Sequence, residues 1–177
     1  MRRVHPPSSV PVHLYIEWWF HGDTGAMGAH TPSNMRILGI DYGERRIGMA
    51  MSDPTGTIAQ PLPTLKRRRG KRPPLKAITE VAVGNDVTAL VMGLPLQLSG
   101  EESDWTSEVR SVGDELGRRL DVPVHYVDER FTSARALKAL AELGLSKTKR
   151  RQKERVDAAA AVLILQSWLD GRRSSGE

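Results

Sequence analysis

The chain predicts an α/β domain: a five-stranded mixed sheet with helices on both faces. Three observations carry that prediction. Aliphatic runs bounded by turn residues recur between residues 37 and 65. Two further apolar runs, at 88–92 and 122–127, alternate with segments whose hydrophobic residues return every three or four positions. The resulting order, β-β-β-α-β-α-β-α-α, places three meandering strands before two strands joined through helices.

Each element has a local reason. Ile37 to Asp41 is a buried strand, Tyr42-Gly43-Glu44 a tight turn, and Arg46 to Ser52 a second strand, so the pair forms a hairpin. Thr57 to Leu65 is a third strand with prolines at its end. The run Lys66-Arg67-Arg68-Arg69-Gly70-Lys71-Arg72 then predicts an exposed basic loop. Pro74 suits the first turn of a helix through Val83. Thr88 to Met92 fits a central strand and leads into Gly93-Leu94-Pro95. Trp105, Val109, Val112, Leu116 and Leu120 mark one face of an amphipathic helix. Val122 to Val127 is a fifth strand, ending at Asp128-Glu129-Arg130. Thr132 or Ser133 can cap the alanine-rich helix that follows. After Gly144 a basic linker precedes a last helix over Lys153 to Leu169.

Composition bounds the function. With 177 residues, 39% hydrophobic and 27% charged, one soluble globular domain is expected. There is no cysteine, which excludes a disulfide frame or a thiolate metal site and fits a reducing compartment. A net charge of +5 suits a polyanionic partner or simply a solvated basic surface. Residues 1–34 hold four of the five histidines and Trp18-Trp19-Phe20 without periodicity. They are expected to be a disordered extension, with Met35 as the functional start. Arg2-Arg3 and the small residues Gly25 to Ala29 imitate a secretory signal, but His13 and Glu17 interrupt its apolar part. Residues 35–171 form the domain, and 172–177 a flexible tail.

The chemistry is expected at acids on strand ends. Burying a lone ionised Asp41 costs several kcal/mol unless it is compensated. Asp128-Glu129 close the fifth strand, and a sheet with the first and fifth strands flanking a central one brings both ends to one edge. Asp157 heads a stripe with Ala160, Ala161, Ile164 and Trp168 on one helix face. Converging carboxylates repel, and a hard divalent cation, Mg²⁺ or Mn²⁺, relieves that repulsion and activates water against a phosphodiester. Singly, each acid has an ordinary alternative. Asp41 could accept turn N–H groups, Asp157 could pair with Arg150 or Arg151, and Glu129 could pair with Arg130.

Four segments in order, RILGIDYGERRIGMAMSD, VMGLPLQLSGEES, VDERFTSARA and RVDAAAAVLIL, resemble the YqgF/RuvX family from Met35 to about Gly171. That family is described both as Holliday junction resolvases and as pre-16S rRNA nucleases. The resemblance implies an RNase H-like fold and a cytoplasmic, metal-dependent nuclease of ribosome biogenesis. It implies Asp41, Glu129 and Asp157 as catalytic and metal-holding residues, with Asp128 in support. Precursor rRNA or branched DNA would be the partner, with ribosomal precursor particles possible and no membrane role. The protein would be a monomer or a homodimer, since a resolvase cuts two strands symmetrically.

Phosphate contacts are expected from the turn at Gly43 and from Arg45, Arg46, Arg130, Lys147, Lys149, Arg150 and Arg151. The loop from Leu94 to Gly100 can reach the same edge. Few aromatics lie near these charges in sequence, so recognition by backbone and shape is expected rather than base stacking. Two rivals remain. An actin-like ATPase shares the ILGIDYG pattern but needs two such domains, and a non-catalytic binding protein could use the same fold.

Overall fold

The computed structural model describes residues 35–68, 70, 72–132 and 149–174. The first hairpin sets the sheet. β1 (Ile37–Tyr42) and β2 (Arg46–Ser52) are buried almost throughout. Gly43 closes their turn, its N–H donating to the Arg46 carbonyl at 3.0 Å. Pairing is antiparallel, with Ile40 opposite Met49 and Asp41 opposite Gly48. β3 (Ala59–Lys66) adds antiparallel to β2 across a register shift between Ile47 and Met49. It carries Pro61 and Pro63, residues that a strand tolerates at an edge.

From there the chain crosses over. α1 (Leu75–Val83) leads to β4 (Ala89–Leu94), which lies parallel to β1. α2 (Asp104–Leu120) leads to β5 (Val124–Asp128), parallel to β4. The strand order is β3-β2-β1-β4-β5. A 3₁₀ turn at Glu129–Phe131 follows β5, and α3 spans Lys149–Ser174. This five-stranded mixed sheet with helices is the α/β class that the element order predicts.

Alternation along the strands divides the interior in two. Leu38, Ile40, Ile47, Met49, Leu90 and Met92 face Ile78 of α1 and Val109 and Leu116 of α2. Ile37, Ala50 and Val91 face Ala160, Ala161, Ile164, Leu165 and Leu169 of α3. Burying such a Leu or Ile side chain is worth about 1.5–3 kcal/mol. α2 starts at Ser103, whose hydroxyl accepts the Thr106 N–H at 3.2 Å while the Thr106 hydroxyl accepts from the Ser103 N–H.

Several boundaries differ from those the sequence suggests. β3 begins at Ala59 rather than Thr57 because the Asp53 carboxylate captures the N–H groups of Thr57 and Ile58, at 2.7 and 2.8 Å. The Lys66–Arg72 run is not all exposed loop, since the Arg67 side chain is only 5% accessible. Lys149, Arg150 and Arg151 belong to α3 rather than to a linker, because KRRQKER contains good helix formers and neither Gly nor Pro. The helix also runs on to Ser174, through the first residues of the expected tail. Residues 1–34, the alanine-rich helix expected after Ser133, and Lys147 lie outside the described residues. Among the described residues no helix is long and apolar enough to cross a membrane.

Candidate active site

The strand period places Ile37, Gly39 and Asp41 on the α3 side of β1. Asp41 is 3% exposed and sits near the C-terminal end of this central strand. Both of its lateral neighbours are glycines. Gly48 is its register partner on β2. On β4, Ile40 pairs with Met92, so the next step along two parallel strands sets Gly93 beside Asp41.

Those glycines leave room that other acids fill. A Cβ on Gly93 would overlap the Glu129 Oε1 atom and lie 2.6 Å from Ile164 Cδ1. A Cβ on Gly48 would overlap the Asp157 carbonyl oxygen and lie 2.6 Å from its carbonyl carbon. The Glu129 carboxylate therefore lies over one flank of Asp41, and the Asp157 backbone lies over the other. Glu129 is buried. The Asp157 side chain is partly exposed and forms an ion pair with Arg46 at 3.5 Å. That partner sits on β2, across the helix–sheet contact.

The donor set is all oxygen, which suits a hard divalent cation. Among the described residues no three carboxylate or histidine side chains stand at direct chelating spacing. Asp157 is turned toward Arg46, which neutralises it.

Asp128 has its own engagement. Arg130 Nη2 and Nε donate to its carboxylate at 2.7 and 3.0 Å, and the Arg130 backbone N–H donates at 2.9 Å. This fork holds the Arg130 charge and raises its pKa, chiefly through the hydrogen bond to Asp128. Arg130 Nη1 also reaches the Leu98 carbonyl at 3.4 Å. Gly100, at φ +91°, leaves its Cβ position open to that guanidinium. Arg130 thus ties the 95–103 loop to the end of β5. Arg45 is exposed beside the β1–β2 turn.

A family model described as "RuvX: Holliday junction resolvase" matches residues 35–171. The chain belongs to the RuvX family. A Koribacter versatilis relative named "Putative pre-16S rRNA nuclease" is 47% identical over 77% of this chain and 88% of its own length. Relatives of the same name from a Roseiflexus species and Maridesulfovibrio salexigens are 41% and 39% identical. The alignments cover 78% and 76% of this chain, and 96% and 98% of theirs.

Sequence reasoning missed part of what shapes this RuvX site. Arg67 lies 4.5 Å from the Tyr42 ring centroid and 5.1 Å from that of Trp105, and it forms an ion pair with Glu108. Its Nη1 reaches the Gly43 carbonyl at 3.5 Å, and Tyr42 donates to Glu108 at 3.2 Å. Burial is the main cause that pushes the Tyr42 phenol up to about 12. This cluster holds the turn that follows Asp41. The sequence also puts Gly93 after the fourth strand, whereas β4 runs through it, and Gly93 and Gly48 are lone strand glycines of the kind that signals close approach of another group.

Proposed function

We propose that this RuvX chain is a divalent-cation-dependent endonuclease that matures the 5′ end of precursor 16S rRNA in the cytoplasm. The observation that carries the reading is the pair of glycines flanking Asp41, each filled by atoms of another acid. The shared name of the relatives supports the substrate. Asp41, Glu129 and Asp157 would hold Mg²⁺ or Mn²⁺, which supplies the Lewis acidity that activates water against a phosphodiester.

The chain's own residues then have separate tasks. Asp41 is fixed by the central strand, so its carboxylate needs no ordering at the moment of reaction. Arg46 balances the charge of Asp157 in the cation-free protein and lies where a substrate phosphate can take it over. Asp128 aims Arg130, and Arg130 steadies the 95–103 loop beside the acids. Gly43 keeps the β1–β2 turn low, and exposed Arg45 can meet the backbone there. Lys147, Arg150 and Arg151 add sequence-independent attraction to the polyanion. Ribosomal precursor particles are the natural setting for such a substrate.

The test presents the purified chain, with Mg²⁺ or Mn²⁺, to a precursor 16S rRNA fragment and to a synthetic four-way DNA junction. Cleavage of the RNA alone is the expected result. Cleavage of the junction alone would reassign the substrate and require a dimer. Binding of both without cleavage would favour a non-catalytic factor.

A further inference from the structure

The helix that carries Asp157 to the sheet also carries Trp168, about three turns or roughly 16 Å further along its axis. There the fold brings together residues that lie far apart in sequence. The rings of Trp168 and His125 of β5 approach to 4.8 Å between centroids, tilted by 36°. The Arg172 guanidinium stands 5.5 Å from the Trp168 centroid. These side chains, with Ser167 and Gly171, line a cleft of about 590 Å³, a size in the range of small-molecule sites. Among the described residues β5 has β4 as its only neighbour, so the cleft lies at the sheet edge.

We propose that this cleft holds an unpaired nucleotide of the substrate strand, a few nucleotides from the phosphate placed at Asp41. The proposal rests on the nuclease reading of Asp41, Glu129 and Asp157. His125 and Arg172 already lie against the indole, so a base enters by displacing the Arg172 guanidinium onto the adjoining phosphate and stacking on the indole face that it leaves. Both sites lie on the α3 side of the sheet, so one single strand can follow the helix from the acids to the indole. The expectation of recognition by backbone and shape alone is thereby extended: the stacking surface is assembled from β5 and α3, which no local stretch of sequence displays.

Gly171 gives a test, because among the described residues a Cβ there would meet nothing within 4 Å. Gly171→Leu sends a branched side chain from that position into the cleft that Gly171 lines, and leucine suits a helix better than glycine. The probe is a fluorescein-labelled, unstructured RNA decamer, measured by anisotropy in EDTA, with a single abasic nucleotide moved along its length. Gly171→Leu should weaken binding by about tenfold, the scale of one missing base stack, with a melting temperature equal to or above wild type. In the wild type one abasic position should cost a similar factor, and in Gly171→Leu that cost should vanish. Affinities within twofold of each other, or an abasic cost uniform along the decamer, overturn the proposal. If Gly171→Leu fails to fold, the abasic scan of the wild type decides alone. Binding is read without a cation. Cleavage of precursor RNA with neither binding effect therefore sinks the cleft and leaves the nuclease. Position-dependent binding without cleavage does the reverse.

Discussion

Asp41 would be an expensive residue for a central strand if the site around it were only structural. Asp41→Asn keeps its shape and removes a charge. If Asp41, Glu129 and Asp157 share a cation, cleavage should collapse while nucleic-acid affinity largely survives, because arginines and lysines supply most of it. In EDTA the variant should melt level with wild type or above it, by up to about 1 kcal/mol, since the repulsion between Asp41 and the buried Glu129 carboxylate is gone. Millimolar Mg²⁺ should then stabilise wild type more than the variant. A variant that melts lower in EDTA and answers Mg²⁺ like wild type would show Asp41 to be a turn acceptor. Gly93 offers an independent check. Gly93→Ala drives a methyl into Glu129 and Ile164, an overpacking that typically costs about 1–3 kcal/mol. Gly39→Ala meets Leu165 and the Ala161 carbonyl instead. Comparable melting losses with a much larger fall in kcat for Gly93→Ala would tie that loss to Glu129. Equal falls in kcat would not. At this scale the acids were legible in the sequence because a carboxylate closing an apolar run is conspicuous. The arginine beside Asp157 was not legible, since helix-local spacing pointed to Arg150 and Arg151 while the pairing crosses from α3 to β2.

At the scale of elements, two segments have consequences that melting curves can read. The Asp53 carboxyl is held far below the usual carboxylate range, first by the Thr55 hydroxyl and then by the N–H groups of Ile58 and Thr57. A depressed folded pKa means the stabilisation is present above the unfolded value of 3.8 and is lost as pH falls through the folded value. Asp53→Asn should therefore melt below wild type at pH 7, and the two should converge as the pH drops below 3.8. A gap that stays constant down to pH 2 would show that the ionised form contributes nothing. The second segment is the start of α3, where Lys149, Arg150 and Arg151 crowd the helix end at which the macrodipole disfavours cations. Replacing these three and Lys147 by Ala should leave the melting temperature unchanged or raise it. The salt slope of nucleic-acid binding should fall by about 0.7–0.9 for each phosphate that is no longer neutralised. An unaltered slope would mark the run as solvated surface. Element types were readable from periodicity, whereas boundaries moved wherever a side chain outcompeted a ladder. Asp53 delayed β3 in this way, and the Arg67 side chain turns inward from the basic loop because Tyr42, Trp105 and Glu108 receive it, within a cluster whose hydrogen bonds span 24 to 66 positions.

At the scale of the molecule, the sequence motifs and the matched family region both begin at Met35. Its N–H donates to the Pro54 carbonyl at 2.9 Å, and its own carbonyl accepts from Ser52 at 3.2 Å. A chain truncated to begin at Met35 should fold, keep its cleavage activity and lose less than about 1 kcal/mol of stability. A larger loss on removing residues 1–34 would mean that they pack on the domain. A mixed sheet whose first and fifth strands flank a central one could be anticipated from the element order, and the structure makes β4 that central strand. The separation of the interior into two packed layers followed from alternation alone.

The far side of β3 bears on how copies of this protein can assemble. Ala59, Pro61 and Pro63 occupy alternate positions of that strand. The Ala59 N–H is already taken by Gln166 Oε1 at 2.9 Å, and the two prolines have no N–H to give. A strand arriving from another molecule finds almost no donors there to bond with. The other margin of the sheet is β5, which contains no proline. Among the described residues the β3 margin is thus closed to strand-to-strand joining. A fibre needs two compatible margins on every copy to keep growing.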